Sequence, residues 1–286
     1  MPANRGNTRF GQFRFRNGVE MYIPWVDEAV FSLTQYGGRD WSDIDVHDVS
    51  STQRFPVGTV LRKGTRWWAY AESGGTIAAA RLAQGEIPAA AHDALPPVAA
   101  SAGATSFNIT LPGSGSDDFV ANEYAGGIVY AQVNGTPGYA YEIATHEAGD
   151  ISTSGTMEVF LVPGENLAVA LSASDDLAFV KNPWKEVIIM ASPQTARVVG
   201  VAMGALTDGD YGWLGVKGPH PVLTDATTDA VVAGYAVRTS EDDDGAVAAF
   251  QGDEAADSDQ GIIGYVADVG GDSQISLIDL NGMGLV

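Results

Sequence analysis

The feature that most constrains this chain is a repeat of pattern. From Ser106 onward, short β-prone runs alternate with turns built on Gly, Asp, Asn and Pro. The runs are SFNITL, GGIVYAQV, GYAYEIA, TMEVFLV, AVALS, EVIIMA, RVVGVAM, YGWLGV, AVVAGYAV, GIIGYVADV and SQISLIDL, about 10 to 20 residues apart. Such punctuation predicts an all-β fold, a β-barrel or β-sandwich over residues 105–286. No helical periodicity of about a dozen residues interrupts it, which disfavours a doubly wound nucleotide fold. The 35 glycines and 13 prolines supply the turns that so many short strands need.

Upstream the pattern changes. In residues 1–50 the run RFGQFRFRNGVEMYIPW alternates aromatic and polar residues, which argues for extended structure with one apolar face. The segment reads as an extended N-terminal arm that buries its aromatics on a neighbouring subunit. The competing reading is a first strand that folds back on its own domain. Residues 51–90 read as a small β region: strands at Val57 to Leu61 and Arg66 to Ala71 flank a Lys63-Gly64 turn. Residues 91–104 are rich in Ala and Pro, and Pro96-Pro97 prevents a continuous helix, so the stretch reads as a linker.

Charge narrows the partners. The chain has 36 acids against 15 bases, for a net charge of −21. Its first 19 residues carry Arg5, Arg9, Arg14 and Arg16 and no acid, whereas from Asp225 onward 13 acids face one base, Arg238. A body this acidic repels phosphate, so no nucleic-acid partner is expected. Asp outnumbers Glu by 24 to 12 and Arg outnumbers Lys by 11 to 4. That balance fits either a protein working in concentrated salt or GC-rich coding, and both readings stand. The absence of cysteine rules out disulfides, thiolate metal sites and cysteine nucleophiles. No apolar run reaches ~18 residues, so no membrane span is expected. The N-terminus has no apolar core of a secretory signal, so the protein is expected either to be cytoplasmic or to leave the cell by another route.

Motifs that carry chemistry are scarce. The sequence holds no GK[ST] phosphate loop, no GxGxxG fingerprint and no GxSxG nucleophile elbow. His47, His92, His146 and His220 are never four residues apart, so no helical metal pair forms. His146-Glu147 reads as a turn at a strand end, and His220, between Pro219 and Pro221, as a satisfied loop histidine. Glu241-Asp242-Asp243-Asp244 lacks the ligand spacing of an EF-hand and reads as a loop tip between strands. Tyr211 and Trp213 share one face of a strand and read as core, with a sugar-stacking platform as the alternative. No catalytic residue, cofactor or metal is expected.

Five stretches, in order, resemble a group of virion structural proteins of tailed phages. They are RFPVGTVLRKGTRWWAYAESGGTIAAARLAQ, ATSFNITLP, ANEYAGGIVYAQVNGTPGYAYEIATHE, LAFVKNPWKEVII and VVGVAMGALTDGDYGWLGVKGPHPVLTD. The resemblance spans most of residues 55–280 and leaves residues 1–50 outside. Where the family often has Gln after Trp, this chain has Leu214-Gly215. The resemblance implies a non-enzymatic, capsid-associated protein of turret, decoration or minor capsid type. Its expected partners are the major capsid protein of the same virion and its own copies, as a pentamer or trimer. The host surface is a further partner if the chain serves in attachment, and a virion glycosidase is the remaining alternative. Docking to shell or neighbour is expected through Arg5, Arg9, Phe10, Phe13, Arg14, Phe15, Arg16, Tyr22 and Trp25.

Overall fold

A computed structural model describes residues 11–14, 18–24, 44–87, 89–133, 138–225, 231–250, 261–270 and 274–284, with backbone alone at 11–14 and 133. The fold is all-β, and among the described residues every strand ladder is antiparallel. In chain order the strands are β1 (Gly11–Arg14), β2 (Val19–Ile23), β3 (Val60–Lys63), β4 (Arg66–Glu72) and β5 (Leu82–Gln84), then β6 (Ser106–Pro112), β7 (Ile128–Val133), β8 (Ala140–His146), β9 (Ser154–Leu161) and β10 (Asp176–Val180). They continue with β11 (Ile188–Ile189), β12 (Val198–Ala202), β13 (Tyr211–Leu223), β14 (Ala236–Thr239), β15 (Val247–Ala249), β16 (Gly264–Asp268) and β17 (Ile275–Asn281). Among the described residues, no helix is long and apolar enough to cross a membrane.

Contacts divide the chain into two units, at boundaries other than those expected from composition. The smaller is drawn mainly from Pro88–Asn182, and the larger from Gly11–Ile23, Tyr36–Ile87 and Pro183–Val286. The 51–90 region is therefore part of one sheet with strands more than a hundred residues downstream, and the 105–286 region does not form a single body.

In the smaller unit, five strands lie in the order β10-β7-β8-β9-β6. Alternate residues of each strand point to a core that includes Phe107, Ile109, Val129, Ile143, Met157, Val159 and Phe179. The Ala/Pro-rich stretch does not link units but lines this one. Leu95 bridges Leu177, Pro97 bridges Ile109, and Ala100 bridges Leu171. Proline accounts for this outcome. It breaks helix, but it also biases its own residue and the one before it toward extended backbone, ready to lie along a sheet.

In the larger unit, twelve strands share one sheet, with the main path β1-β2-β3-β4-β13-β17-β16-β14-β15 and with β5, β11 and β12 off that path. The long strand β13 is its hub. Tyr211 to Lys217 run against β4, from Glu72 to Trp67, and Lys217 to Leu223 run against β17, from Asn281 to Ile275. Pro219 and Pro221 fit because backbone groups alternate in direction along an antiparallel strand. The missing N–H groups fall on the positions that point away from β17, and Leu223, two residues on, sends its N–H to Ala80 O at 2.8 Å instead.

The N-terminal residues behave as the competing reading expects where they are described. β1 pairs β2, and β2 pairs β3. Val19, Met21 and Ile23 are buried with Leu61, Trp68, Tyr70 and Trp213. These residues are the first strands of the larger sheet and not a detached arm. The alternation seen in the sequence is real, but its apolar face closes on the chain's own core.

Candidate interaction surface

One end of the larger sheet gathers cations. Cross-strand register places Arg14, Glu20, Arg62, Trp67, Lys217 and Asn281 in a single row over β1, β2, β3, β4, β13 and β17. The β3–β4 hairpin adds Lys63 and Arg66, brought face to face by a two-residue Gly64-Thr65 turn. Gly64 adopts φ +62°, a left-handed conformation that glycine takes without strain.

The indole rings organise these charges. The Arg62 guanidinium lies 5.1 Å and the Lys217 ammonium 5.7 Å from the Trp67 ring centre, one from each neighbouring strand. Tyr22 stacks parallel to Trp67 with centroids 6.2 Å apart, and Arg66 lies 5.1 Å from the Trp68 ring centre. Arg62 also meets Glu20 at 3.3 Å. Among the described residues, Lys63, Arg66 and Lys217 have no carboxylate partner, although the chain carries 36 acids. All three are exposed.

Beneath this corner lies an unusual polar core. His220 is fully buried and packs edge-on against Trp68, with ring centroids 5.5 Å apart. Its Nε2–H donates to the Lys217 carbonyl at 2.9 Å. Its Nδ1, and the Trp68 Nε1–H, have no hydrogen-bond partner. Burial, with the Arg66 charge a smaller contributor, pushes the His220 pKa down to about 4. The ring fits only because residue 215 is glycine: a Cβ there would stand 2.6 Å from His220 Nδ1. His220 is thus a strand residue of the core and not a loop histidine.

The second feature of this sheet is an exposed apolar patch on the outer face of β13, β16 and β17, with Asp268 and Asp279 beside it. On β17, Ser276, Ile278 and Leu280 point inward and are buried, while Ile275 and Leu277 point outward and are 47% and 39% exposed. Leu277 pairs with Pro221 and Ile275 with Leu223 on β13, and Tyr265 of β16 is also exposed. A sheet with apolar residues on both faces normally lies between two layers.

The other sequence candidates fall into structural roles. His92 donates from Nε2 to the Asp117 carbonyl at 2.8 Å, accepts at Nδ1 from the Tyr124 hydroxyl at 2.6 Å, and stacks on Phe119 with centroids 3.7 Å apart. His146 donates from Nδ1 to the Glu147 carbonyl at 2.7 Å and accepts at Nε2 from the Tyr124 N–H at 3.0 Å. His146-Glu147 is therefore a strand-end contact through the backbone, and not a side-chain acid–base pair. Glu241 to Asp244 cap the turn between β14 and β15, where Arg81 meets Asp243 at 2.9 Å and Ser192 N–H meets Asp244 at 2.8 Å. Trp213 is buried against Phe55 and Tyr70, at centroid distances of 5.3 and 5.1 Å. Tyr211 is held by its hydroxyl on Glu72 at 3.1 Å. A stacking platform that uses both rings is incompatible with that burial.

Of the docking residues expected from the sequence, Tyr22 stands at the cationic corner, and Arg14 shares its row by register. Phe13 and Arg14 are described by backbone alone, and Arg5, Arg9, Phe10, Phe15, Arg16 and Trp25 lie outside the described residues. Sequence reasoning missed Arg62, Lys63, Arg66, Trp67 and Lys217. Three bases within five residues of so acidic a chain were a signal for the hairpin, but only strand pairing adds Lys217. The fold and this surface define an all-β protein whose larger sheet presents a cationic corner and an exposed apolar patch. No family model, curated protein or solved structure matches the chain.

Proposed function

We propose that this chain is a non-enzymatic virion structural protein on the capsid exterior of a tailed virus, in a turret or decoration role. The observation that carries the reading is a sheet with an exposed apolar patch on the face away from its core. One face closes on the unit's own core. On the other, Tyr265, Ile275 and Leu277 stay exposed among the described residues beside half-buried Pro221 and Leu223, a patch that an assembly partner would cover. The ordered resemblance of five segments to capsid-associated proteins supports the same reading, with the major capsid protein as the partner at this face and the chain's own copies as further partners.

The test is Ile275→Asp with Leu277→Asp in capsid co-sedimentation. Both side chains are exposed, so stability should stay within about 0.5 kcal/mol of wild type per site, while binding to capsid shells is lost. Wild-type sedimentation with shells would remove the docking role of this face. The contribution of the N-terminal cations is best tested by deleting residues 2–10. A longer cut through Val19, Met21 and Ile23 would open the core of the larger unit.

A further inference from the structure

We infer that the cationic corner of the larger sheet is a subunit contact, and that its occupant is the acidic smaller unit of a second copy of this chain. The inference rests on the proposed role as an assembling structural protein and names a surface and partner for self-association.

Four cations gather at this sheet end, Arg62 and Lys217 on the Trp67 face and Lys63 and Arg66 on the Trp68 face, and among the described residues Glu20 is the carboxylate that pairs with one of them. Two are held at Trp67 and one at Trp68, so part of the conformational entropy of long cationic side chains is already lost before a partner arrives. A preorganised, uncompensated cationic surface calls for an anionic partner of matching spread.

The chain itself contains that partner. Residues 88–182 carry eleven acids and one base, Lys181. Lys181 is already committed to Glu123 at 2.9 Å. Exposed carboxylates gather where Phe119 bridges Gly149: Asp117 and Asp118 precede one side of the bridge, and Glu147 and Asp150 flank the other. Asp150 accepts from Ser152 and Thr153, which lowers its pKa and keeps it ionised. A nucleic acid fits less well, because the many acids of the body would repel its phosphates beyond the corner itself.

Net repulsion between two copies of charge −21 does not forbid the contact. At about 0.15 M salt the Debye length is ~8 Å, so only charges close to the contact count, and those have opposite sign. Corner and acidic ridge are different surfaces, so the contact is head-to-tail and generates a ring when the rotation closes.

The experiment uses the isolated full chain without capsid, so its outcome is separate from that of shell docking. Sedimentation velocity is run between about 0.1 and 1 M KCl, a range over which the Debye length falls from ~10 Å to ~3 Å. Wild type is expected to form oligomers. Corner reversal (Lys63→Glu, Arg66→Glu, Lys217→Glu) and ridge reversal (Asp117→Lys, Glu147→Lys) should each weaken association at least about tenfold, with folding checked by the melting transition, because each removes one opposite-sign surface. An equimolar mixture of the two variants should associate again, and one chain carrying both reversals should do so alone. A monomeric wild type across that range, reversed variants of unchanged mass, or a mixture that stays monomeric would overturn the inference. So would a monomeric wild type that is retained on heparin through the corner, which would assign these cations to a polyanion instead.

Discussion

The two units bury their histidines in opposite ways. In the smaller one, His92 and His146 use both ring nitrogens, and an aromatic group of Phe119, Tyr124 and Phe179 packs around them. In the larger one, His220 and Trp68 each leave a buried nitrogen without a partner. The charge balance differs as well: one lysine serves the whole of residues 88–182, whereas the larger unit collects four cations at one sheet end. A fully satisfied polar core specifies one arrangement and adds stability. An unsatisfied one costs free energy that the surrounding packing must offset. The larger unit tolerates this cost beneath its cationic corner, where Arg62, Arg66 and Lys217 lie over the indole rings.

The strongest way to break the comparison is to remove the packing that offsets that cost. Trp213→Ala should destabilise the larger unit by about 3–5 kcal/mol, read by urea unfolding followed through tryptophan fluorescence. A loss below ~1 kcal/mol would mean that Trp213 is not the core residue its burial implies.

Acid should act next, through His220. In the unfolded chain this imidazole takes a proton near pH 6.5, but in the fold it stays neutral down to about pH 4. Between those values the unfolded state binds more protons, so stability rises with pH. The contribution is complete above pH 6.5 and is lost progressively toward pH 4. The full difference is on the order of 3 kcal/mol. His220→Phe should flatten the pH dependence of unfolding in this window relative to wild type. An unchanged slope in the variant would show that other groups govern the acid response.

Salt should have the smallest effect and should separate the units. Raising KCl from about 0.1 to 2 M screens like-charge repulsion. Hydrogen exchange should therefore slow more in strands β6 to β10 of the smaller unit, which has a single lysine over residues 88–182, than in the larger sheet, by less than about 1 kcal/mol of opening free energy. Equal protection gains in both units would point to a general effect of salt on burial and not to the charge imbalance.

Parts of this arrangement are legible in the sequence. The β7, β12 and β16 strands fall within runs that local alternation picks out, and β6, β8, β9 and β17 overlap such runs and extend one or two residues beyond them. The AVALS run forms only a bridge at Leu171, and β10 and β15 fall outside the alternating runs, β10 overlapping the LAFVKNPWKEVII stretch. β13 extends through Lys217 to Leu223 although Pro219 and Pro221 argue against a central strand. Of the interaction surface, the Arg62 to Trp67 hairpin was visible as a basic aromatic run, but nothing local tied it to Lys217.

By itself, the sequence determined the class of fold, because side-chain alternation and turn residues act over a few positions and leave a local record. It also determined the acidity and the lack of any cysteine-based chemistry. Only the tertiary structure decided which strands are neighbours, and with that everything that depends on pairing. The hairpin near residue 64 meets a strand at residue 217, the proline-rich stretch lies along the smaller sheet, and β17 buries one face while Ile275 and Leu277 stay exposed on the other. The reason is physical. A strand satisfies its hydrogen bonds and covers its faces with partners that lie far away in the chain, and no window of local sequence records which partner wins.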